Sequence, residues 1–226
     1  MKKFLIAAVV AAISSGAFAA DVKPYIEGQL GYANLRDVDT ETVSDTIGNV
    51  QVSGALKLKY DSDTTYGFEF GAKNVGIENL RLGASFSHAE FDFKSAGLTG
   101  TLSSDAGSTS ISGSASRSQL GSYASSLDAK VKLYMLNAYY DFKNSTALTP
   151  FVGAGIGFAD VRNTKDNEFS YSLNAGGRYS INDNLYLGLK GSYIRVNGPT
   201  IQVDGGDYGL KDIDLWKAEA LLGYQF

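Results

Sequence analysis

Apolar residues alternate with polar residues or glycine along most of the chain. The clearest case is 150–158, PFVGAGIGF, in which apolar side chains occupy one set of alternate positions and glycines 153, 155 and 157 the other. A period of two is the side-chain period of a β-strand. A dinucleotide-binding G-x-G-x-x-G turn would need glycine in place of Phe158 and a helix after it. The pattern therefore favours a strand.

The same alternation marks eight segments, each of which is predicted to be a strand. Residues 50–60 also alternate, so parts of the long connections are expected to continue as strand above the membrane; ten barrel strands remain an alternative to eight. Residues 23–37 also align without a gap onto 149–163, which divides the chain into two similar halves. The eight segments are 24–33, 65–74, 80–87, 131–142, 150–158, 168–181, 185–194 and 215–226.

The N-terminus carries an export pattern. Lys2 and Lys3 precede an apolar run, and Ala17-Phe18-Ala19 has the small-x-small form of a cleavage site. Residues 1–19 are predicted to be a cleaved signal peptide, and residues 20–226 a single β-barrel domain. The long connection between the third and fourth strands is rich in serine and glycine, and we expect it to lack order of its own.

Composition excludes several functions. The chain has no cysteine, one histidine and a net charge of −4, so disulfide frameworks, thiolate metal sites and nucleic-acid binding are disfavoured. His88 follows Ser87 and precedes Glu90, but neighbouring residues of a strand point to opposite faces, which argues against a catalytic pair. We expect no enzyme, no cofactor and no metal site.

Alternation alone fits both a soluble carrier with an apolar interior and a membrane barrel with an apolar exterior. Aromatic residues at both ends of the apolar faces favour the membrane barrel, because tyrosine and tryptophan concentrate at membrane interfaces. Residues 216–226 would rise about 23 Å if tilted near 45°, close to the roughly 25 Å apolar band of such barrels. The predicted aromatic girdle is Tyr32, Tyr66, Phe70, Phe86, Tyr134, Tyr140, Phe142, Phe158, Tyr171, Tyr179, Tyr193, Trp216 and Tyr224.

The last strand ends on Phe226, with Tyr224 and Leu222 behind it at spacing two. This cadence resembles the assembly signal of bacterial outer-membrane proteins. Together with PYIEGQLGYA, LNAYYDF and TPFVGAGIGFA, it resembles the small outer-membrane barrels of the opacity or OmpA–OmpX type.

The resemblance implies an all-β fold: a closed antiparallel barrel in the Gram-negative outer membrane, with short periplasmic turns and long extracellular loops. The implied partners are outer-membrane lipid and lipopolysaccharide, the assembly machinery through the C-terminal strand, and a host or surface ligand at the loops. Because the chain stops with its barrel, a C-terminal peptidoglycan-binding domain is not expected.

The polar face would then line a lumen that is only wide enough for side chains. Its charges are nearly balanced, which predicts a network of ion pairs. Two functions remain: a structural or adhesin-like surface protein with a plugged lumen, or a narrow gated porin in which Arg81, Arg178, Glu27 and Glu219 form the gate. The predicted lumen charges are Glu27, Glu69, Lys73, Arg81, Asp141, Arg178, Lys190, Lys217 and Glu219.

Overall fold

The structure is a computed structural model that describes residues 22–226 except 106, 163, 165, 166, 199, 204 and 205. The predicted signal peptide, residues 1–19, lies outside the described residues. Within the described part of the chain, no helix has the length and apolarity needed to span a membrane.

Eight long strands form a closed antiparallel barrel, in the order β1-β15-β12-β11-β10-β9-β6-β5. The prediction of eight barrel strands is confirmed and the ten-strand alternative is wrong, while residues 50–60 form a strand outside the barrel, as expected. The barrel strands are β1 (Lys23–Leu35), β5 (Asp63–Lys73), β6 (Leu80–Phe91), β9 (Ala129–Asp141), β10 (Leu148–Val161), β11 (Glu168–Ser180), β12 (Leu185–Val196) and β15 (Ile213–Gln225).

The two ends of the barrel differ. At the short-turn end, segments 74–79, 142–147 and 181–184 connect neighbouring strands. In the first of these turns Asn74 and Asn79 adopt positive φ angles of 60° and 66°, a conformation that asparagine tolerates better than most residues. The connections of the opposite, long-loop end carry the remaining elements.

Those elements are β2 (Val38–Asp39), β3 (Val43–Ile47), β4 (Val50–Tyr60), β7 (Phe93–Ser104), β8 (Gly107–Ser116), α1 (Arg117–Leu120), a 3-10 helix (Gly121–Leu127), β13 (Thr200–Val203) and β14 (Gly206–Gly209). Strands β2, β3, β4, β7 and β8 form a separate sheet, called here the outer sheet. The serine- and glycine-rich segment, expected not to order on its own, forms β7 and β8, and β7 pairs with β4. Backbone hydrogen bonds between β4, β7 and β8 order this segment without requiring apolar side chains.

The barrel carries its apolar residues outside. Leu30 and Leu189 are 61% and 71% exposed, whereas Glu69 and Asp141 are fully buried. This arrangement is the reverse of a soluble carrier with an apolar interior. An apolar band of this extent is stable in a hydrocarbon environment and not in water.

The internal repeat has a structural counterpart. The first copy contains β1 and the second β10, and these strands lie on opposite sides of the eight-strand ring. Tyr25 and Phe151 occupy equivalent positions in the two copies, and both side chains are buried. The repeat therefore places one aromatic ring on each of two opposing walls.

The interior changes in character along the barrel axis. Charged and aromatic side chains fill the short-turn half. The long-loop half contains an apolar cluster, called here the upper cluster, onto which the outer sheet packs through Leu58 and Tyr60. Its members are Ala33, Leu35, Val38, Ala89, Phe91, Val131, Leu133, Met135, Ala159, Val161, Ile194, Val196, Leu210, Ile213 and Leu215.

Candidate functional site in the barrel lumen

The charged residues of the polar face all point into the lumen, because their neighbours in each strand place apolar side chains outside. Lys73, near the short-turn end, is partly exposed, and the others are buried. The buried set is Glu27, Glu69, Arg81, Asp141, Arg178, Lys190, Lys217 and Glu219.

Asp141 on β9 is the centre of the cluster nearest the short turns. Its carboxylate binds the Arg178 guanidinium of β11, lies 3.6 Å from Lys73 Nζ, and lies 3.6 Å from Arg81 Nε. One buried carboxylate thus faces three cations from three different strands.

Glu69 on β5 is the second buried carboxylate of this half. Tyr25 Oη donates to Glu69 Oε1 at 2.6 Å, and Tyr139 Oη donates to Oε2 at 2.8 Å. The Asn137 amide also donates to Oε2 at 2.9 Å, and Arg81 Nη1 lies 3.5 Å from Oε1. Both oxygens of this buried carboxylate therefore have hydrogen-bond donors within the lumen.

Arg81 connects the two clusters, since its guanidinium lies between Glu69 and Asp141. Three rings surround it, with centroids 4.1 Å away for Tyr139, 5.0 Å for Phe151 and 5.2 Å for Tyr25. Cation–π contacts are strongest in desolvated sites. The rings and the arginine together cross the lumen from wall to wall.

Glu219 and Glu27 make contacts that are separate from these two clusters. Glu219 binds Lys217 Nζ at 2.7 Å and Lys190 Nζ at 3.4 Å. Glu27 accepts hydrogen bonds from the neutral groups Tyr186 Oη and Gln29 Nε2, both at 3.0 Å. The sequence suggested that Arg81 and Arg178 pair with Glu27 and Glu219 to form a gate. These pairs are not observed: both arginines contact Asp141, and Glu27 accepts hydrogen bonds from neutral groups.

Four inward-facing aromatic residues were not identified from the sequence, although they contact the predicted lumen charges. They are Tyr25, Tyr139, Phe151 and Tyr186. The glycine ladder of β10 explains part of their placement. A Cβ on Gly153 would lie 2.3 Å from Tyr139 Cδ1. The sequence did contain a signal for Phe151. It shares its set of alternate positions with the glycines of β10, which places its side chain on the inward face.

The predicted girdle residues lie on the outer surface of the barrel, each exposed or partly exposed. Several contact one another between strands. The ring centroids of Phe86 and Tyr134 are 5.2 Å apart, and those of Tyr193 and Trp216 are 4.8 Å apart. These contacts are positioned to stiffen the rim nearest the long loops.

Ser87 and His88 lie on opposite faces of β6. Ser87 Oγ is buried in the lumen and accepts a hydrogen bond from Lys217 Nζ at 3.1 Å. The His88 ring contacts the Tyr66 ring outside the barrel in a tilted arrangement, with centroids 5.3 Å apart, and His88 Nε2 lies 3.0 Å from Glu90 Oε1. This geometry does not form a serine–histidine pair.

The C-terminal residues Leu222, Tyr224 and Phe226 face outward and are 54%, 44% and 68% exposed. The Phe226 N–H donates to Pro24 O at 2.9 Å, beside the start of β1. The end of the chain thus lies at the seam where β15 and β1 close the barrel.

The sequence profile of a known family, described as outer membrane protein beta-barrel domain, matches residues 5–226. The chain belongs to this family. Membership confirms the predicted fold class and the location in the Gram-negative outer membrane, so the long-loop end is extracellular and the short-turn end periplasmic.

Two curated relatives share part of the sequence. The outer membrane protein PagN of Salmonella typhimurium is 30% identical over 95 residues, covering 35% of this chain and 39% of PagN. An uncharacterized protein of Brucella abortus is 34% identical over 112 residues, covering 41% of this chain and 37% of that protein. The chain thus spans about two-fifths of the length of the curated relatives it matches.

The crystal structure of Neisserial surface protein A superimposes with a TM-score of 0.53 and 12% identity, covering 90% of this chain and 97% of that one. At this identity the likeness concerns the fold alone.

Proposed function

We propose that this protein is a non-enzymatic surface barrel that presents its outer sheet for adhesive contact while its lumen stays plugged. After removal of residues 1–19, Leu222, Tyr224 and Phe226 would direct β15 to the assembly machinery. The girdle would hold the barrel among outer-membrane lipid and lipopolysaccharide, and the loops would contact a host or surface ligand.

The outer sheet is the observation that carries this proposal. The β7–β8 hairpin pairs continuously from Ser95↔Ser116 to Ser104↔Gly107. Along β8 the side chains from Gly107 to Gly113 are exposed, and the strand contains no charged residue. An ordered, uncharged and hydroxyl-rich strand outside the cell offers hydrogen-bonding groups at little further ordering cost.

A shortened hairpin tests the adhesive role. Replacing 100–111 with Asn-Gly would join Thr99 to Ser112, which are already paired, through a turn that suits two-residue hairpins. Cells carrying this variant should display the barrel at normal levels and lose adhesion to host cells. Normal adhesion by the variant would contradict the proposal.

The gated porin is the second candidate. Arg81 Nη2, Arg178 Nε and Asp141 Oδ1 are buried and have no hydrogen-bond partner among the described residues. Such groups would be hydrated if water entered the lumen. Planar-bilayer recording distinguishes the candidates: steady silence from the wild type supports a plug, and repeated opening steps support a gate. Arg178→Ala alters the lumen and leaves the outer sheet unchanged, so it is the matched control for the shortened hairpin. It should change conductance and leave adhesion intact.

A further inference from the structure

A cavity of about 350 Å³ lies between the outer sheet and the extracellular end of the barrel. This size falls at the lower end of the range for small-molecule sites, roughly 300–1,000 Å³. Leu35, Val131 and Ile213 of the barrel form its buried floor, and Leu58 and Tyr60 of β4 cover it from the outer sheet.

The floor of this cavity is apolar, while its mouth carries polar groups. The polar residues Ser126 and Arg162 line the cavity and are exposed, which places them at the mouth beside Leu127. A cavity with an apolar floor holds water poorly, because water there lacks hydrogen-bond partners. An apolar chain would fill the same space without that cost.

Asp128 also lines the cavity, but its carboxylate already has partners. Arg117 Nη1 lies 2.7 Å from Asp128 Oδ1, and the Phe93 N–H donates to the same oxygen at 2.9 Å. Burial alone would raise the pKa of Asp128, but these hydrogen bonds and the nearby guanidinium groups lower it overall. Asp128 therefore stays ionised and paired to Arg117, and Arg162 is the second cation at the mouth.

Tyr60 is the other polar side chain of the lining. Its burial, together with the charge of Asp128, raises the pKa of Tyr60 to about 12. The hydroxyl is therefore protonated at neutral pH and able to donate a hydrogen bond.

We propose that this cavity binds a single acyl chain with an anionic head, as in a free fatty acid. The chain would lie on Leu35, Val131 and Ile213, and the carboxylate would face Arg162. The cavity lies at the extracellular end of the barrel, beneath the outer sheet, so the ligand would enter from the external medium. The proposal does not depend on the adhesive role.

Photolabelling tests this site. The wild-type protein in phospholipid nanodiscs is irradiated with a decanoate analogue that carries a diazirine at the chain end, and labelled residues are mapped by mass spectrometry. We expect saturable labelling of cavity residues such as Val131 and Ile213, displaced by unlabelled decanoate. Labelling confined to lipid-facing residues such as Leu136 and Ile156 would overturn the proposal.

Two substitutions test the two parts of the ligand. Ala129→Phe fills the cavity and should abolish saturable labelling, whereas Ala115→Phe, the same change on β8 outside the cavity, should not. Arg162→Gln should raise the half-saturating concentration of the decanoate probe roughly three- to tenfold, the loss expected for one hydrogen bond of ordinary net strength at an exposed side chain. It should leave the matching decanol probe unchanged.

Equal effects of Arg162→Gln on the two probes would overturn the anionic head. Equal labelling of Ala129→Phe and Ala115→Phe would overturn the cavity as the site. If Ala129→Phe does not fold, the mapped labels and the Arg162→Gln comparison still decide the question.

Discussion

One step along β9 changes the environment of a side chain completely. Leu136 faces outward beside Ile156, whereas the Asn137 amide is buried and donates to Glu69 and to Ser85 Oγ, both at 2.9 Å. Neighbouring residues therefore meet different environments, lipid in one case and a packed polar interior in the other. A substitution reports on whichever environment its side chain occupies.

Leu136→Arg should destabilise the protein by roughly 2–4 kcal/mol, because it places a cation near the middle of the apolar band. Thr64→Arg should cost about 0–1 kcal/mol, because Thr64 pairs with Tyr32 at the interface and is exposed. Urea unfolding in lipid vesicles measures both changes. Equal costs for the two variants would contradict the assigned depth.

Arg178 and Asp141 allow a test of the plug. Arg178→Ala leaves the buried Asp141 carboxylate with only the longer contacts to Lys73 and Arg81, and should cost on the order of 3 kcal/mol. Asp141→Asn in the same chain should recover part of that loss. A double-mutant cycle of unfolding free energies measures the coupling, expected at about 1–3 kcal/mol. Coupling near zero would indicate a hydrated lumen.

At the scale of elements, β10 combines an outer apolar face with an inner row of glycines. Gly153 makes room for Tyr139, which donates to Glu69, so a missing side chain on one strand positions a ring on the next. Gly28 of β1 lacks this constraint, since a Cβ there would lie 3.9 Å from its nearest neighbour, Leu222 O.

Gly153→Ala should therefore destabilise the barrel by roughly 1–3 kcal/mol, the usual cost of overpacking. Gly28→Ala should change stability by less than about 0.5 kcal/mol. Thermal unfolding of the two variants in detergent measures the difference. A harmless Gly153→Ala would mean that Tyr139 has room to move and that the inner packing is loose.

The barrel strands could be predicted from sequence because one face of each meets lipid, which imposes a strict period of two. Of the outer sheet, only β4 shows the alternation; β7 and β8 could not be predicted, because the backbone hydrogen bonds that join β7 to β4 and β8 to β7 require no apolar pattern. The inward charges followed from the same period. Their partners did not, because Arg178 and Asp141 are 37 residues apart in sequence and meet across the intervening strand β10.

Acid should loosen the junction between α1, β7 and β9. The folded-state pKa of Asp128 is below its ordinary value. Its contribution to the free energy of unfolding is therefore fully present above pH about 4 and is lost as the pH falls through the folded-state pKa. Asp128 and Arg117 are both partly exposed, which limits the loss of stability to about 1 kcal/mol. Amide exchange at Phe93 should rise in this range, and Asp128→Asn should remove the pH dependence.

At the scale of the whole molecule, two cores share one barrel. The charged core nearest the periplasm is held by ion pairs, and the upper cluster beneath the outer sheet is held by apolar burial. The outer sheet is thus mounted on the part of the barrel that packs like a soluble protein. This arrangement lets changes in the lumen charges and changes in the outer sheet be tested separately.

Closure of the ring depends on β15, the last barrel strand of the chain, which pairs with both β1 and β12. Phe226 lies at this seam with its ring exposed to the outside and its N–H bound to Pro24 O. Tyr179 of β11 is the matched position, a 55% exposed aromatic at the same end of the barrel but away from the seam.

Phe226→Asp and Tyr179→Asp should each weaken the periplasmic girdle to a similar extent, since both place a charge at the interface. The two purified variants should therefore have similar stability after refolding in detergent. In cells, Phe226→Asp alone should lower the outer-membrane level several-fold and leave periplasmic aggregates, because only it alters the end of the strand offered to the assembly machinery. Heat-modifiable band intensity on a detergent gel measures the folded fraction. Equal loss of both variants from the membrane would assign Phe226 to the girdle and remove its role as an assembly signal.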